Sequence, residues 1–243
     1  MKRLPADPPS LLGPAAPGAR AAIPLYLSRT YTWAYLSRRT LPWLDRPLVV
    51  SAILWGNAGR LMRAAVAHFA PGQKVLQAAC VYGDFSRMLA ERVGPRGRLE
   101  VVDVAPIQLA NARRKLAGLP QVRLRRADLA EPGARGADGA SDGVCCFFLL
   151  HEVPASQRAR IVDNLLGAVR PGGKVVFVDY LRARRWHPLR PVMAQVFRWL
   201  EPYAPSLLGV EIASLTPRAG QFEWQKSTSF GGLYQQVVAV RRA

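Results

Sequence analysis

The sequence predicts an α/β protein with a seven-stranded, mostly parallel sheet covered by helices. From residue 74 onward, short apolar runs alternate with helical stretches, and strands separated by helices of this length pair in parallel. The segment 144–150 (VCCFFLL) is apolar without alternation, as expected of a strand buried on both faces. Two alternating segments surround Gly231-Gly232 near the end of the chain, which predicts a closing antiparallel hairpin.

Each element follows from local periodicity and from glycine or proline at its ends. Predicted strands cover residues 74–79, 99–104, 122–126, 143–149 and 174–180, and predicted helices cover 85–93, 106–117 and 156–169. The hairpin pairs residues 222–230 with 234–241. Five parallel strands closed by a hairpin are the topology of class I S-adenosylmethionine (SAM) dependent methyltransferases, a Rossmann-like fold.

The flanking segments predict helical caps around one α/β domain. Prolines interrupt residues 1–22 and no signal-type apolar run follows, so we expect a disordered leader and no export. Residues 23–70 read as a helical cap with breaks at Pro42 and Pro47. Residues 71–243 then form the SAM-binding domain, including a helical insertion at 184–210 that we expect to cover the active site.

Composition supports one buried core and a phosphate-rich partner. Half of the 243 residues are apolar and the formal net charge is +18, a field that attracts nucleic acid or an anionic membrane. No RNP, zinc-finger or helix-turn-helix signature is present, so we expect no nucleic-acid partner. Tryptophan and leucine accompany arginine in segments 33–43 and 184–190, which favours an anionic membrane surface, although solvated arginine faces are the alternative.

Two further observations concern the compartment. The three cysteines offer neither a disulfide framework nor a CxxC pattern, which is typical of buried thiols in a reducing compartment. The apolar run 48–55 is too short to span a bilayer. We therefore expect a cytoplasmic protein that associates peripherally with the inner membrane.

Ligands of such sheets lie beyond the carboxyl ends of the strands, which selects the candidate cofactor residues. Gly83 permits close backbone approach, Asp103 ends the second strand at the spacing of a ribose-binding acid, and Asp128 is placed to accept from an adenine amino group. The candidate cofactor-binding set is Gln77, Ala79, Gly83, Asp84, Asp103, Val104, Asp128 and Leu129.

The fourth strand ends in Leu150-His151-Glu152, which places an imidazole and a carboxylate at the mouth of the site. Either group can transfer protons, and Tyr82 is a further candidate for polarising a carbonyl. As a pair, His151 and Glu152 also offer a divalent metal one nitrogen and one oxygen ligand; the alternative is that they only shape the pocket. We interpret His68 as a packing residue.

The strings VLQAACVYGDFS, VVDVAPIQ, GVCCFFLLHEVP, PGGKVVFVDY and FGGLYQ together resemble the RquA family of rhodoquinone biosynthesis proteins, which is related to the quinone methyltransferases. The similarity covers residues 31–240. Gln77 joined to CVYGD, RTYTWAYLS and FGGLYQ carries the resemblance, because a quinone methyltransferase is expected to read D-x-x-G-G-T-G-D across 77–84.

The resemblance implies conversion of ubiquinone to rhodoquinone for anaerobic respiration. A ring methoxy group is replaced by an amino group from SAM, with a divalent metal such as manganese. The neutral Gln77 fits this, because a carboxylate there favours the charged ammonium over the nucleophilic free amine. Two alternatives stay open: a SAM-dependent methyltransferase acting on a quinone or another lipid-soluble acceptor, and a non-catalytic SAM-fold scaffold for quinone enzymes.

Overall fold

A computed structural model of the chain describes residues 21–134 and 139–243. The predicted leader lies outside the described residues except for positions 21 and 22. The described strands form one sheet in the order β3-β2-β1-β4-β5-β7-β6. Their bounds are β1 Lys74–Ala78, β2 Arg98–Asp103, β3 Val122–Arg126, β4 Ser141–Phe147, β5 Val169–Tyr180, β6 Phe222–Ser229 and β7 Tyr234–Arg241.

The pairing confirms the predicted seven-stranded, mostly parallel sheet. β1 pairs in parallel with both β2 and β4, whereas β7 pairs antiparallel with both β5 and β6. The chain therefore runs outward from β1 to β3 and returns to the other side of β1 as β4. A crevice opens at such a reversal beyond the carboxyl ends of the strands, and the candidate functional site lies there.

Several strand ends differ from the sequence prediction: β2 and β6 by one residue, and β4, which covers 141–147 instead of 143–149, by two. β1 ends at Ala78 rather than at residue 79, because Ala79 has a φ of 64°, which an extended strand does not allow. β5 begins at Val169 rather than at residue 174, because Val169 pairs with Ser141 across a register shift.

Helices cover both faces of the sheet. The helices that follow strands are α5 Phe85–Val93, α6 Pro106–Lys115 and α7 Ala155–Ala168. Val75 joins one hydrophobic cluster with α5, whereas the next residue, Leu76, joins another with α7, since neighbouring side chains of a strand point to opposite faces.

The caps precede β1 and follow β5. The N-terminal cap consists of α1 Leu25–Thr30, a π-helix Thr32–Leu36, α2 Leu41–Leu44, α3 Pro47–Ile53 and α4 Ala58–Val66, and the insertion carries α8 Arg190–Trp199. Pro42 and Pro47 lie in the first turns of α2 and α3, where a missing amide hydrogen costs nothing. The two prolines therefore begin helices. Among the described residues, no helix is both long and apolar enough to cross a bilayer.

Candidate active site

Two adjoining cavities lie beyond the carboxyl ends of β1, β2 and β4. The small cavity, of about 60 Å³, is lined by Ala79, Asp103, Val104, Asp128 and Leu129, and on the side of the N-terminal segment by Tyr26, Leu27 and Tyr35. The large cavity, of about 300 Å³, has mostly apolar walls that include Leu44, Val50, Phe147, Phe148, Tyr180 and Met193. Tyr35, Ala79, Cys80, Leu149 and Glu152 line both cavities, so a ligand in one lies next to a ligand in the other.

Asp103 organises the small cavity. Its carboxylate accepts hydrogen bonds from the backbone amides of Cys80 and Ala105, both at 2.7 Å. Burial raises the pKa of Asp103 against the lowering effect of these hydrogen bonds. Asp128 likewise accepts from the amide of Ala130 at 2.9 Å, and burial raises its pKa too. Both predicted nucleoside-binding acids therefore face one cavity, together with Ala79, Val104 and Leu129.

Gln77, Gly83 and Asp84 are not among the residues that line either cavity, contrary to the placement expected from sequence. Gln77 is fully buried, and its amide donates to the Ala79 carbonyl and to Ser86 Oγ, both at 2.9 Å. It therefore fastens the loop after β1 onto α5. Asp84 is exposed beside α5.

The Gly83 amide is occupied by another part of the chain. It donates to Asp45 Oδ1 at 2.8 Å, and the same carboxylate pairs with Lys115 Nζ at 2.6 Å. Asp45 comes from the cap, at the end of α2. An acid from the N-terminal cap therefore supplies the anion at this glycine.

His151 lies on the helical turn Leu150–Glu152 that follows β4, and its ring is hydrogen-bonded to Asp179. Its Nδ1 is 2.8 Å from Asp179 Oδ1, and the other Asp179 oxygen accepts from the Leu150 amide at 2.9 Å. Because a carboxylate accepts, Nδ1 carries a proton and Nε2 faces the opposite way. Nε2 lies 3.7 Å from Glu152 Oε1 and 3.9 Å from Glu201 Oε2.

The N-terminal cap holds both of these glutamates. Tyr31 donates its hydroxyl hydrogen to Glu201 Oε2 at 2.8 Å, and Tyr35 donates to Glu152 Oε1. We call His151, Glu152 and Glu201 the proton cluster, since each of them can bind a proton. All three line the large cavity.

Burial and mutual charge together raise the pKa values of all three groups of the proton cluster. Burial raises the pKa of Glu152 to about 8, although the neighbouring His151 opposes the shift. Burial alone lowers the pKa of His151, but Asp179 and the two glutamates overcome it and raise the value to about 9. Burial also raises the pKa of Glu201. Groups with pKa values near the working pH are suited to acid–base catalysis.

Tyr82 lines the large cavity as predicted, but its hydroxyl is already used. The hydroxyl donates to the Ala34 carbonyl and accepts from Gln108 Nε2 at 3.0 Å. Its ring stacks on Tyr35 with centroids 5.6 Å apart. In this structure Tyr82 shapes the cavity wall, and its one proton is not free to polarise a substrate carbonyl.

Sequence reasoning missed two residues of the candidate site, Asp179 and Glu201. Asp179 is the next-to-last residue of the buried strand β5, whose sequence gives no sign of the imidazole beside it. Glu201 has a usable signal, because it is the only acid between Asp179 and Glu211 in an arginine-rich segment. His68 packs as predicted: it is half-buried and hydrogen-bonded to Gln236 at 2.9 Å.

The proton cluster also fits a divalent metal. One ligand atom from each of the three residues lies within 4.8 Å of the others, and mixed imidazole and carboxylate ligands suit manganese, iron or zinc. The Asp179 carboxylate behind His151 is the kind of partner that orients a metal-binding imidazole. The predicted pair His151 and Glu152 is thus joined by Glu201.

Residues 75–173 match a family model described as a methyltransferase domain. Similar proteins include a demethylmenaquinone methyltransferase of Symbiobacterium thermophilum, 28% identical over 54% of this chain and 51% of that protein. A 2-phytyl-1,4-naphtoquinone methyltransferase of Thermosynechococcus vestitus is 32% identical over 53% of each chain. The chain thus spans about half the length of these relatives.

Solved structures show the same fold. A SAM-dependent methyltransferase from Aquifex aeolicus superposes with a TM-score of 0.56 at 18% identity, covering 84% of this chain and 98% of that one. Human N-acetylserotonin methyltransferase in complex with SAM gives 0.58 at 16% identity, covering 90% and 62%. The predicted fold is confirmed: the chain has the class I SAM-dependent methyltransferase fold.

Proposed function

We propose that this protein is a SAM-dependent transferase that converts ubiquinone to rhodoquinone by replacing a ring methoxy group with the amino group of SAM. The observation that carries the proposal is the pair of adjoining cavities: a small one with two acids and a large apolar one with a proton cluster in its wall. The two acids suit the nucleoside part of SAM, and the apolar cavity suits a lipid-soluble acceptor.

The small cavity supports SAM as the cofactor. Asp103 and Asp128 provide carboxylate oxygens for ribose hydroxyls and for an adenine amino group. The cavity is smaller than pockets that enclose drug-sized ligands, and Tyr26, Leu27 and Tyr35 of the N-terminal cap form part of its wall. We expect these side chains to move when the nucleoside binds.

The large cavity supports a quinone as the acceptor. Its aromatic walls include Phe147, Phe148 and Tyr180, which provide flat apolar surfaces for a quinone ring. The similarity to a demethylmenaquinone methyltransferase and a 2-phytyl-1,4-naphtoquinone methyltransferase supports a substrate of the quinone class.

Amino transfer is favoured over methyl transfer by the loop after β1. Gln77 is neutral, and its side-chain amide donates hydrogen bonds to the Ala79 carbonyl and to Ser86. The exposed Asp84 does not line either cavity. No carboxylate of this loop therefore stabilises the ammonium of the methionine moiety, so the amine loses its proton more readily.

The proton cluster then has two roles. As the amine attacks the methoxy-bearing ring carbon, a C–N bond forms, and the C–O bond breaks as methanol leaves. The nitrogen then leaves the methionine moiety by elimination: its bond to Cα breaks as a base of the proton cluster takes a proton from Cβ, so the donor becomes an unsaturated acid and the quinone keeps the amino group. Glu152 or Glu201 accepts the amine proton, and the protonated Nε2 of His151 donates a hydrogen bond to the quinone carbonyl. A divalent cation held by the same three residues would supply Lewis-acid polarisation of that carbonyl.

Methyl transfer to a quinone is the second candidate function. The observation that favours it is the sequence similarity to enzymes named as methyltransferases. It requires only the fold and the adjoining cavities, because the methyl group reacts at the sulfonium carbon and the amine has no part.

The test is to incubate the purified protein with ubiquinone, SAM and manganese, and to identify the quinone products by chromatography and mass spectrometry. The proposal expects a product that has lost a methoxy group and gained an amino group. A methylated quinone would support the second candidate, and SAM binding without any product would support a scaffold.

A matched pair of variants ties the activity to the proton cluster. Glu201→Gln should lower turnover by about 10²-fold or more, as expected for loss of an acid–base group. Glu211→Gln changes an acid that is paired with Lys226 outside the cavity, and turnover should stay at the wild-type rate. Equal turnover in both variants would remove Glu201 from the mechanism.

A further inference from the structure

The opening of the large cavity is bordered by exposed apolar side chains. Trp33, Ile53, Trp55 and Leu200 all line the cavity, yet their exposed fractions are 44%, 48%, 38% and 46%. They therefore contact the cavity on one side and solvent on the other. They come from the π-helix, from α3 and its following turn, and from the end of α8.

The same caps expose further large apolar residues that do not line the cavity. Leu48 on α3 is 85% exposed, Trp199 on α8 is 70% exposed and Trp43 on α2 is 56% exposed. Single exposed apolar residues are ordinary, but clusters of this kind mark interaction surfaces. We call these seven residues the apolar rim.

The exposed charge around the apolar rim is positive. The rim residues lie in segments 33–55 and 190–201, which contain two acids, Asp45 and Glu201. Neither acid adds negative charge to the surface, since Asp45 pairs with Lys115 and Glu201 accepts a hydrogen bond from Tyr31. The arginines of these segments have no ion-pair partner among the described residues; they are Arg38, Arg39, Arg46, Arg190 and Arg198.

The apolar rim and the positive charge around it together indicate which kind of partner binds this surface. Exposed tryptophan beside arginine suits the boundary between headgroups and acyl chains, where rings enter the apolar layer and guanidinium groups stay with phosphates. A protein partner does not require the uniform positive charge, whereas an anionic leaflet attracts it.

We infer that the apolar rim docks on an anionic lipid bilayer, with the mouth of the large cavity facing the membrane. A lipid-soluble acceptor then passes from the bilayer into the cavity without crossing water. The identity of that acceptor as a quinone rests on the proposed function; the docking itself does not.

The test uses vesicles of phosphatidylcholine with and without phosphatidylglycerol, in the absence of SAM and quinone. The protein should float with the anionic vesicles, and added salt should release it. All tryptophans except Trp224 lie on the caps. Brominated lipids should therefore quench most of the intrinsic fluorescence.

Two double variants with the same change in net charge locate the surface. Arg38→Glu with Arg39→Glu alters the rim side, where loss of two basic contacts should weaken vesicle binding by at least about thirtyfold. Arg96→Glu with Arg98→Glu alters the opposite side of the molecule, at the amino end of β2, and binding should fall far less.

A third variant addresses the apolar contact. Leu48→Asp changes a side chain that is almost fully exposed, so folding should be retained while quenching and flotation fall. Equal loss of binding in the two double variants, or vesicle binding by the wild type without quenching, would overturn the inference. Because no substrate is present, a failure here is distinct from failure of the proposed reaction.

Discussion

At the scale of single residues, the site is organised by side chains that bind backbone. Asp103 joins the loop after β1 to the end of β2 through two amides, and Asp179 joins β5 to the turn carrying His151. Each acid therefore fixes a loop and faces a reactive region at the same time. Position in the fold decides which acids take these roles. Asp84 directly follows Gly83 in the sequence, yet it is exposed and lines neither cavity.

Asp103→Ala should weaken SAM binding by about ten- to a hundredfold, because charge-assisted hydrogen bonds to the ribose are lost. Asp84→Ala is the control, and its affinity should match the wild type since the side chain is exposed. Calorimetric titration of both folded variants measures the difference. Equal affinities would place the ribose elsewhere.

Gln77→Glu should lower the free energy of unfolding by about 1–3 kcal/mol. A carboxylate at this position has no hydrogen to donate, so the Ala79 carbonyl loses its partner and meets a second acceptor. Urea unfolding checks the value. Gln225→Glu, on the exposed side of β6, is the matched control and should be neutral; a neutral Gln77→Glu would refute the loop-fastening role.

At the scale of elements, α7 connects the turn that carries His151 to the insertion. Arg158 is 1% exposed, and its guanidinium donates to the carbonyls of Leu150, Val153 and Tyr203 at 2.9–3.1 Å. Leu150 precedes His151, and Tyr203 follows Glu201 by two residues. One arginine therefore sets the spacing between two parts of the proton cluster.

Arg158→Met should destabilise the fold by at least about 3 kcal/mol, because several buried carbonyl groups are left without donors. Arg160→Met, on the exposed side of the same helix, should stay within about 0.5 kcal/mol of the wild type. Denaturant unfolding of both proteins makes the comparison. A small effect at Arg158 would mean that the insertion is held by its apolar contacts alone.

The elements themselves were largely predictable, since apolar periodicity set the strands and helices within a few residues. The site was predictable where a residue follows a strand, as with Asp103 and His151. The site was not predictable where contacts join distant segments. The hydrogen bond from Tyr31 to Glu201, for example, joins residues that are 170 positions apart. Gln77 shows the same limit, because its sequence position matches a cofactor acid while its side chain points under the loop.

At the scale of the whole molecule, the net charge of +18 acts on stability as well as on partners. Mutual repulsion of like charges opposes the compact state, and salt screens it. We expect the melting temperature to rise between about 20 mM and about 500 mM sodium chloride, in contrast to vesicle binding, which should fall. Calorimetry or circular dichroism measures the first trend, and a falling melting temperature would show that specific ion pairs outweigh repulsion.

The central claim is that the nitrogen of SAM enters the quinone, and isotope tracing tests it most directly. The purified protein is incubated with ubiquinone and SAM carrying nitrogen-15 in its amino group, and the extracted quinone is analysed by mass spectrometry. The account predicts a rhodoquinone-type product that carries the label. An aminated product without label, or a methylated quinone with its methoxy groups intact, would contradict it.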